Sequence, residues 1–320
     1  MKTRRSFLVS IFAAGMVGLF GSGTAQTDSP IKVVASFSIL GDIVQQVGGD
    51  RVHLTTLVGP DGDAHVYQPT PADARSVAET KLLIVNGLGF EGWMERLTEA
   101  SGYKGRVVTA TAGIVPLQME EAEEQHEAET EQKAEEGGHA DHDHGEIDPH
   151  AWQSLANARI YVRNITDGLA AADPAGAETY RGNAARYLKE IDSVEAQIRE
   201  MVASLPAERR KVVTSHDAFG YFSAAYGIEL LAPVGFSTDA EASAGDVANL
   251  IRQIEQEQIT AVFVENISDR RLIDQIVRET GARIGGTLYS DALSKADGPA
   301  GTYLDMMRHN IQTLVAALGG

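Results

Sequence analysis

Short apolar runs alternate with stretches of helical periodicity over the first third of the chain. The run at residues 82–86 (LLIVN) is continuously apolar, which is typical of a strand buried in a parallel sheet. Residues 71–80 predict a short helix, because Thr70 is a suitable N-cap and Pro71 suits the first helical position. The same reasoning predicts strands at 31–38, 52–58, 82–86 and 106–109, and helices at 39–47, 71–80 and 90–100.

A long amphipathic stretch follows at residues 174–205. Asp173 is a suitable N-cap, Pro174 suits the first helical position and Pro206 ends the helix. The apolar positions recur in steps of four and three, at Tyr180, Ala184, Tyr187, Ile191, Val194, Ile198, Met201 and Leu205. About 32 residues at ~1.5 Å each give roughly 48 Å, which exceeds one small domain. We therefore expect this helix to span two lobes.

The second half of the chain repeats the alternation. Strands are predicted at 211–214, 228–232, 261–265 and 283–289, and helices at 218–226, 245–256, 269–280 and 302–318. The predicted fold class is α/β, with two lobes of parallel sheet wrapped by helices and joined by one long linking helix. The predicted division is a signal peptide at 1–25, an N-terminal lobe at 26–172, the linking helix at 173–206 and a C-terminal lobe at 207–320.

The first 25 residues have the layout of an export signal. Basic residues near the start precede an apolar run at 7–20, and small residues precede a cleavage site after Ala25. The apolar run is too short and too rich in glycine for a good membrane span. The pair Arg4 and Arg5 resembles a twin-arginine signal, but ordinary secretory signals also carry paired basic residues, so both export routes stay open.

The absence of cysteine adds to this picture, since the chain contains none. An exported chain without cysteine forms no disulfides. It also lacks the residue that attaches a mature lipoprotein to a membrane. We therefore expect a free periplasmic protein, not a lipoprotein, whose metal ligands, if any, are nitrogen and oxygen atoms.

One acidic segment carries most of the net charge. Residues 119–148 contain 13 acidic residues against one lysine, a charge of −12 out of the total of −18. The negative balance argues against binding to nucleic acid. With so few apolar residues, positions 120–146 predict a mobile insertion in the N-terminal lobe. Its histidines predict an auxiliary, weaker metal-binding loop, although a solvated charge run would look the same: His126, His139, His142 and His144.

Four further residues are candidates for a main metal site. His65 and His216 each follow a predicted strand, His150 follows the acidic segment, and Asp291 follows the strand predicted at 283–289. Ligands of open α/β sheets bind outside the carboxyl ends of the strands, so these side chains are expected to meet between the lobes. Three imidazoles and one carboxylate suit four-coordinate zinc, whereas more carboxylates would favour manganese. Any one of these residues alone would be interpreted as an ordinary loop or turn residue.

Four segments around these residues resemble the periplasmic zinc- or manganese-binding proteins of ABC importers. They are residues 63–70 (DAHVYQPT), 148–152 (DPHAW), 215–221 (SHDAFGY) and 288–291 (LYSD). The resemblance extends from about residue 31 to residue 320. It implies capture of a metal ion for a membrane permease, with a periplasmic metallochaperone as a further possible donor. It also implies a monomer with little hinge motion between its lobes.

In that family the corresponding positions hold the metal, which implies His65, His150, His216 and Asp291 as ligands here. Manganese-preferring relatives tend to have glutamate in the third segment, so His216 favours zinc without excluding manganese. The histidine-rich loop resembles that of zinc-binding members. Glu265, at the end of the strand predicted at 261–265, lies near the metal in similar proteins. We expect it to orient a ligand histidine, although it could instead cap the turn at residues 268–269.

Other functions remain as alternatives. The chain could serve a manganese importer, or act as a periplasmic zinc buffer or chaperone without a transporter. A zinc hydrolase is the least favoured, because a catalytic zinc keeps an open position that Asp291 would close. The spacing His-Glu-x-x-His of common metalloproteases is also absent from the sequence.

Overall fold

The computed structural model describes residues 29–118 and 147–319. The predicted signal peptide and the four loop histidines therefore lie outside the described residues. The first sheet has four parallel strands in the order β2-β1-β3-β4: β1 (Ile31–Phe37), β2 (Val52–Val58), β3 (Leu82–Val85) and β4 (Arg106–Thr109). Because these strands run in one direction, the loops after them leave from one edge of the sheet.

The second sheet repeats this arrangement in the order β6-β5-β7-β8. Its parallel strands are β5 (Lys211–Val213), β6 (Glu229–Leu231), β7 (Ala261–Glu265) and β8 (Arg283–Leu288). The predicted class, two parallel sheets in one α/β chain, is confirmed. The predicted bounds of β2, β4 and β7 match the observed ones, and the other predicted strands are one or two residues too long.

The helices of the first half are α1 (Ser38–Gly48), α2 (Pro71–Glu79), α3 (Met94–Ser101) and α4 (Leu155–Ala172). Thr70 caps α2 as predicted, within a capping box that Asp73 completes. The prediction that α3 begins at residue 90 is wrong, because Leu88 and Gly89 adopt left-handed backbone conformations and a turn precedes the helix. Helix α4 was not predicted from the sequence.

The long helix forms after a single 3-10 turn at Pro174–Gly176 and extends as α5 (Ala177–Ala203). The expected N-cap role of Asp173 is wrong. Its side chain makes no cap and instead accepts hydrogen bonds from Arg51 and Tyr180. The predicted apolar stripe is buried except at Met201, which is half-buried, while the neighbouring Val202 is buried. At ~1.5 Å per residue, the observed helix is about 40 Å long.

The second half contains α6 (Gly220–Tyr226), α7 (Ala244–Gln256), α8 (Arg271–Thr280) and α9 (Tyr303–Leu318). The predicted starts of α7, α8 and α9 lie within two residues of the observed ones. Ser243 caps α7 in a capping box with Asp246, and Thr302 caps α9. Helix α9 packs against α1 and α5 as well as against β8, so the last helix of the chain contacts elements of both halves.

The main hydrophobic core includes residues of both sheets together with the buried stripe of α5. Leu82 on β3, Ile191 on α5 and Phe263 on β7 belong to this single cluster. A smaller cluster lies between the second sheet and helices α7 and α8. The two sheets are thus joined by continuous packing as well as by the chain. Within residues 29–118 and 147–319, no helix combines the length and apolar character needed to cross a membrane.

Candidate metal centre

The four residues singled out from the sequence converge at one point. His65 lies in the loop after β2, His216 follows β5, Asp291 follows β8, and His150 lies between residue 147 and α4, directly before the 3-10 turn at Ala151–Gln153. One nitrogen or carboxylate oxygen from each lies within 4.8 Å of those of the other three. Among the described residues, this is the one group of three or more such side chains with that spacing.

Asp291 stands at the centre of the cluster. Its Oδ2 lies 3.1 Å from Nε2 of His65 and 3.1 Å from Nε2 of His216, and its Oδ1 lies 3.6 Å from Nε2 of His150. The Nε2 atoms of His65 and His150 are 3.3 Å apart. Each imidazole therefore presents the same ring nitrogen to the same carboxylate. The side chain of His65 is 5% exposed, whereas the other three are buried.

A tight turn aims His65 at the centre. Asp63 Oδ1 accepts a hydrogen bond of 2.9 Å from the backbone N–H of His65, which closes the turn two residues later. The indole N–H of Trp93 donates to the carbonyl oxygen of Ala64 at 2.7 Å. The rings of His65 and Phe90 pack in a T-shaped arrangement, with their centroids 4.7 Å apart. The loop that carries the imidazole is thus held by its own turn and by the residue before α3, and the ring itself packs against Phe90.

His150 is fixed in the same way by the residue two positions before it. Asp148 Oδ1 accepts the backbone N–H of His150 at 2.8 Å and lies 2.8 Å from its ring Nδ1. The amide of Asn86, at the end of β3, donates to the carbonyl oxygen of Pro149 at 2.9 Å. A carboxylate on Nδ1 favours the tautomer with its proton there, which leaves Nε2 free to bind a metal ion.

Glu265 supports His216 from the neighbouring strand. Its Oε1 accepts the backbone N–H groups of Ser215 at 2.7 Å and His216 at 2.9 Å. Its Oε2 lies 2.6 Å from Nδ1 of His216. The backbone N–H of Ser268 donates to the backbone carbonyl oxygen of Glu265. The carboxylate of Glu265 therefore takes no part in that hydrogen bond and is available to His216. The strand end of β7 therefore places a negative charge directly behind the third imidazole.

Burial and opposite charges compete at the centre. Burial acts to lower the pKa of His150, but the charges of Asp291 and Asp148 and the hydrogen bond to Asp148 raise it to about 9. Burial likewise opposes the charged form of His216, yet Glu265 and Asp291 hold its pKa well above the ordinary value. Burial would raise the pKa of Asp291, but His150 and His216 hold it well below its usual range. In the metal-free protein, protonated His150 and His216 therefore supply the positive charge that stabilises the ionised carboxylate of Asp291.

The donor set fits a divalent cation. Oδ1 of Asp291 is buried and has no hydrogen-bond partner among the described residues. A buried carboxylate oxygen without a donor is costly unless a cation compensates it. Three nitrogens and a carboxylate match the preferences of zinc and other borderline metals, with no thiolate available.

Two clefts lead toward the cluster. One is lined by His65, Phe90, Pro149 and Phe236. The other is lined by His216 with Asp63 and Thr238. Phe236 and Thr238 both belong to the loop between β6 and α7, so one loop borders both approaches.

Asp63 and Asp148 were not assigned a role from the sequence alone. Both stand two residues before the histidine that they hold, so the spacing Asp-x-His occurs twice and gave a usable signal. No pattern in the sequence pointed to Thr238, because its hydrogen-bond partner Asp63 is 175 positions away along the chain.

Comparison with known proteins gives a consistent picture. The model of the family described as "ZnuA: Zinc-uptake complex component A periplasmic" matches residues 33–317. The manganese-binding lipoprotein MntA of Halalkalibacterium halodurans is 32% identical over 311 residues, covering 97% of this chain and 96% of the relative. The iron-binding protein YfeA of Yersinia pestis is 34% identical over 295 residues, covering 92% and 88%.

A solved structure shows the same fold. The periplasmic zinc-binding protein TroA of Treponema pallidum superposes with a TM-score of 0.80 at 32% sequence identity, over 90% of this chain and 99% of that one. The resemblance stated from the four sequence segments is confirmed, and the hydrolase alternative has no support in this family. The chain therefore belongs to the ZnuA family of periplasmic zinc-uptake components, the non-enzymatic substrate-binding proteins of ABC metal importers.

Proposed function

We propose that this protein captures Zn²⁺ between its two lobes and delivers it to the membrane permease of an ABC importer. The ligands are His65, His150 and His216 through their ring nitrogens and Asp291 through its carboxylate. The observation that carries the proposal is the convergence of these four groups within 4.8 Å of one another in a buried position. The lobes are assigned to residues 26–172 and 207–320, with residues 173–206 linking them.

The choice of zinc rests on the donor set. Relatives are named for manganese, iron and zinc, so family membership leaves the metal open. Three imidazoles and a single carboxylate favour four-coordinate zinc over manganese, which prefers more oxygen ligands. Glu265 behind His216 and Asp148 behind His150 strengthen this preference, because a carboxylate on the far ring nitrogen makes the imidazole a better donor. Manganese import remains the alternative function, supported by the relationship to MntA.

The proposed location is the periplasm, after cleavage of a signal peptide near Ala25. Several relatives are named lipoproteins, MntA among them. This chain contains no cysteine to carry a lipid, so we propose that the mature protein is not anchored in that way. We further propose that it acts as a monomer, and that the histidines of residues 120–146 receive zinc, including zinc from a periplasmic metallochaperone.

The test is a competition titration of metal-free mature protein with zinc and manganese. We expect one tight zinc per chain that manganese at large excess does not displace. Tight binding of manganese with easy displacement of zinc would support the manganese alternative. No tight binding of either metal would overturn the proposal.

A further inference from the structure

The carbonyl oxygen of Ser290 accepts two buried side-chain donors from the other half of the chain. The indole N–H of Trp152 donates to it at 2.9 Å, and the amide Nε2 of Gln153 donates at 2.8 Å. These donors lie 138 and 137 positions away in sequence. Trp152, Gln153 and Ser290 are all fully buried, with 0% exposure.

These contacts connect two of the proposed ligands by a very short path. Ala151–Gln153 form a 3-10 turn directly after His150, and the backbone N–H of Gln153 donates to the carbonyl oxygen of His150 at 3.0 Å. Ser290 immediately precedes Asp291. The position of Asp291 relative to His150 is therefore set by hydrogen bonds between the lobes, before any metal ion binds.

Trp152 and Gln153 differ in what else holds them. The Trp152 ring packs against Phe37 and Phe90, and its carbonyl oxygen accepts a hydrogen bond from Tyr303. The Oε1 of Gln153 has no hydrogen-bond partner among the described residues. Burying a primary amide with one end unpaired costs stability. The Gln153 amide acts in this site through its hydrogen bond to the carbonyl oxygen of Ser290.

On the basis of the proposed function, we infer that Gln153 is a positioning residue that favours zinc over manganese. It holds the backbone before Asp291 so that the carboxylate meets Nε2 of His65 and His216 through one oxygen, Oδ2. The second oxygen, Oδ1, stays 3.6 Å from His150. An Asp291 free to shift could present both oxygens to an ion and raise its coordination number. Manganese gains from added oxygen ligands, whereas zinc is satisfied with four ligands.

The test uses Gln153→Leu, which removes the amide at similar volume, and Gln153→Met as a second variant of similar length. Zinc and manganese affinities of each metal-free variant are measured by competition against chelators. We expect the ratio of zinc to manganese affinity to fall about tenfold, the lower end of the effect of residues that orient metal ligands. The melting temperature of the metal-free protein should change little. The variants lose one hydrogen bond, but they also remove the buried and unpaired Oε1 of Gln153, and the two effects offset each other.

The matched control is Asn164→Leu. Asn164 on α4 also donates its amide to backbone carbonyls, those of Ala110 and Ala112, but it contacts none of the four proposed ligands. It should lower the melting temperature and leave the affinity ratio unchanged. An unchanged ratio in both Gln153 variants, or an equal fall in Asn164→Leu, overturns the inference. If the parent protein itself lacks a tight zinc site, the proposed function fails instead.

Discussion

The hydroxyl of Thr238 donates a hydrogen bond of 2.6 Å to Oδ2 of Asp63, across the boundary between the two lobes. The other oxygen of the same carboxylate accepts the backbone N–H of His65. One side chain therefore shapes the turn that aims His65 and fastens that turn to the loop between β6 and α7. Nearby, the backbone N–H of Asp61 donates to the carbonyl oxygen of Leu293 at 2.9 Å, which links the same loop to the other lobe a second time.

Thr238→Val should speed metal dissociation. The substitution keeps the shape of the side chain but removes the donor to Asp63. A hydrogen bond to a charged group contributes about 1.5–3 kcal/mol, and changes in affinity appear mostly in the dissociation rate, so we expect zinc to leave about tenfold faster. Stopped-flow release into a strong chelator measures this rate. Ser237→Ala, next in the same loop, is the control, and equal rates for both variants would show that the contact with Asp63 has no effect on the metal.

His65→Ala and His216→Ala should each remove most of the zinc affinity. Each variant deletes one of four proposed ligands. We expect losses greater than about 100-fold, because even residues that only orient ligands contribute about 10- to 100-fold. His53→Ala is the control, since His53 is an exposed residue on β2. Competition titration measures all three proteins, and parental affinity in both His65→Ala and His216→Ala would place the site elsewhere.

Zinc affinity should fall as the pH is lowered from about 9. A histidine must be neutral to bind the ion, and the pKa of His150 is raised to about 9 in the metal-free protein. Because the pKa of His216 is raised as well, competition with protons begins well above the unperturbed histidine pKa of about 6.5, and zinc affinity should already fall steeply between about pH 9 and pH 6 and continue to fall below it. Affinities measured between pH 5 and pH 9.5 test this, and a constant affinity from pH 7 to pH 5 would contradict the assignment.

The stability of the metal-free protein should change with pH in the opposite sense. Because the folded pKa of His150 lies above its unfolded value, its contribution is complete below about pH 6.5 and is lost as the pH rises through about 9. The lowered pKa of Asp291 contributes stability above about pH 4, which is lost as the pH falls through the folded pKa. The metal-free protein should thus melt at a higher temperature at pH 6 than at pH 9.5, and addition of zinc should reverse the order.

Deletion of residues 120–146 should leave the tight site and the fold intact. The four proposed ligands and their supporting residues lie outside the deleted segment. The deletion should remove additional, weaker zinc equivalents and slow loading from dilute zinc, an effect that salt reduces because the segment is strongly acidic. Zinc stoichiometry and loading rate measure the result. Loss of the tight site would mean that the ligands are assigned wrongly, and no change in either quantity would leave the segment as a solvated charge run.

The sequence predicted the strands best, because the apolar runs of β3 and β7 are too short for helices and are rich in β-branched or aromatic residues. Helix α4 was missed, since its alanines, Arg159 and Asn164 weaken the apolar stripe that marks a helix. The position of Asp173 before Pro174 is typical of a helix N-cap, but its side chain instead accepts hydrogen bonds from Arg51 and Tyr180. The four proposed ligands were found because they stand in recognisable segments. Gln153 and Thr238 were not, because their partners Ser290 and Asp63 are brought to them only by the fold.

The matching strand order of the two sheets has a consequence for how an ion is held. His65 and His150 come from the first half of the chain, and His216 and Asp291 come from the second, so each half supplies two of the four proposed ligands. The core that continues through α5 keeps the two pairs within reach of one another, so an ion bound by the first pair would meet the second at a high effective concentration. Neither half offers more than two of the four donors, so a four-donor site exists only while the continuous core keeps the two halves packed together.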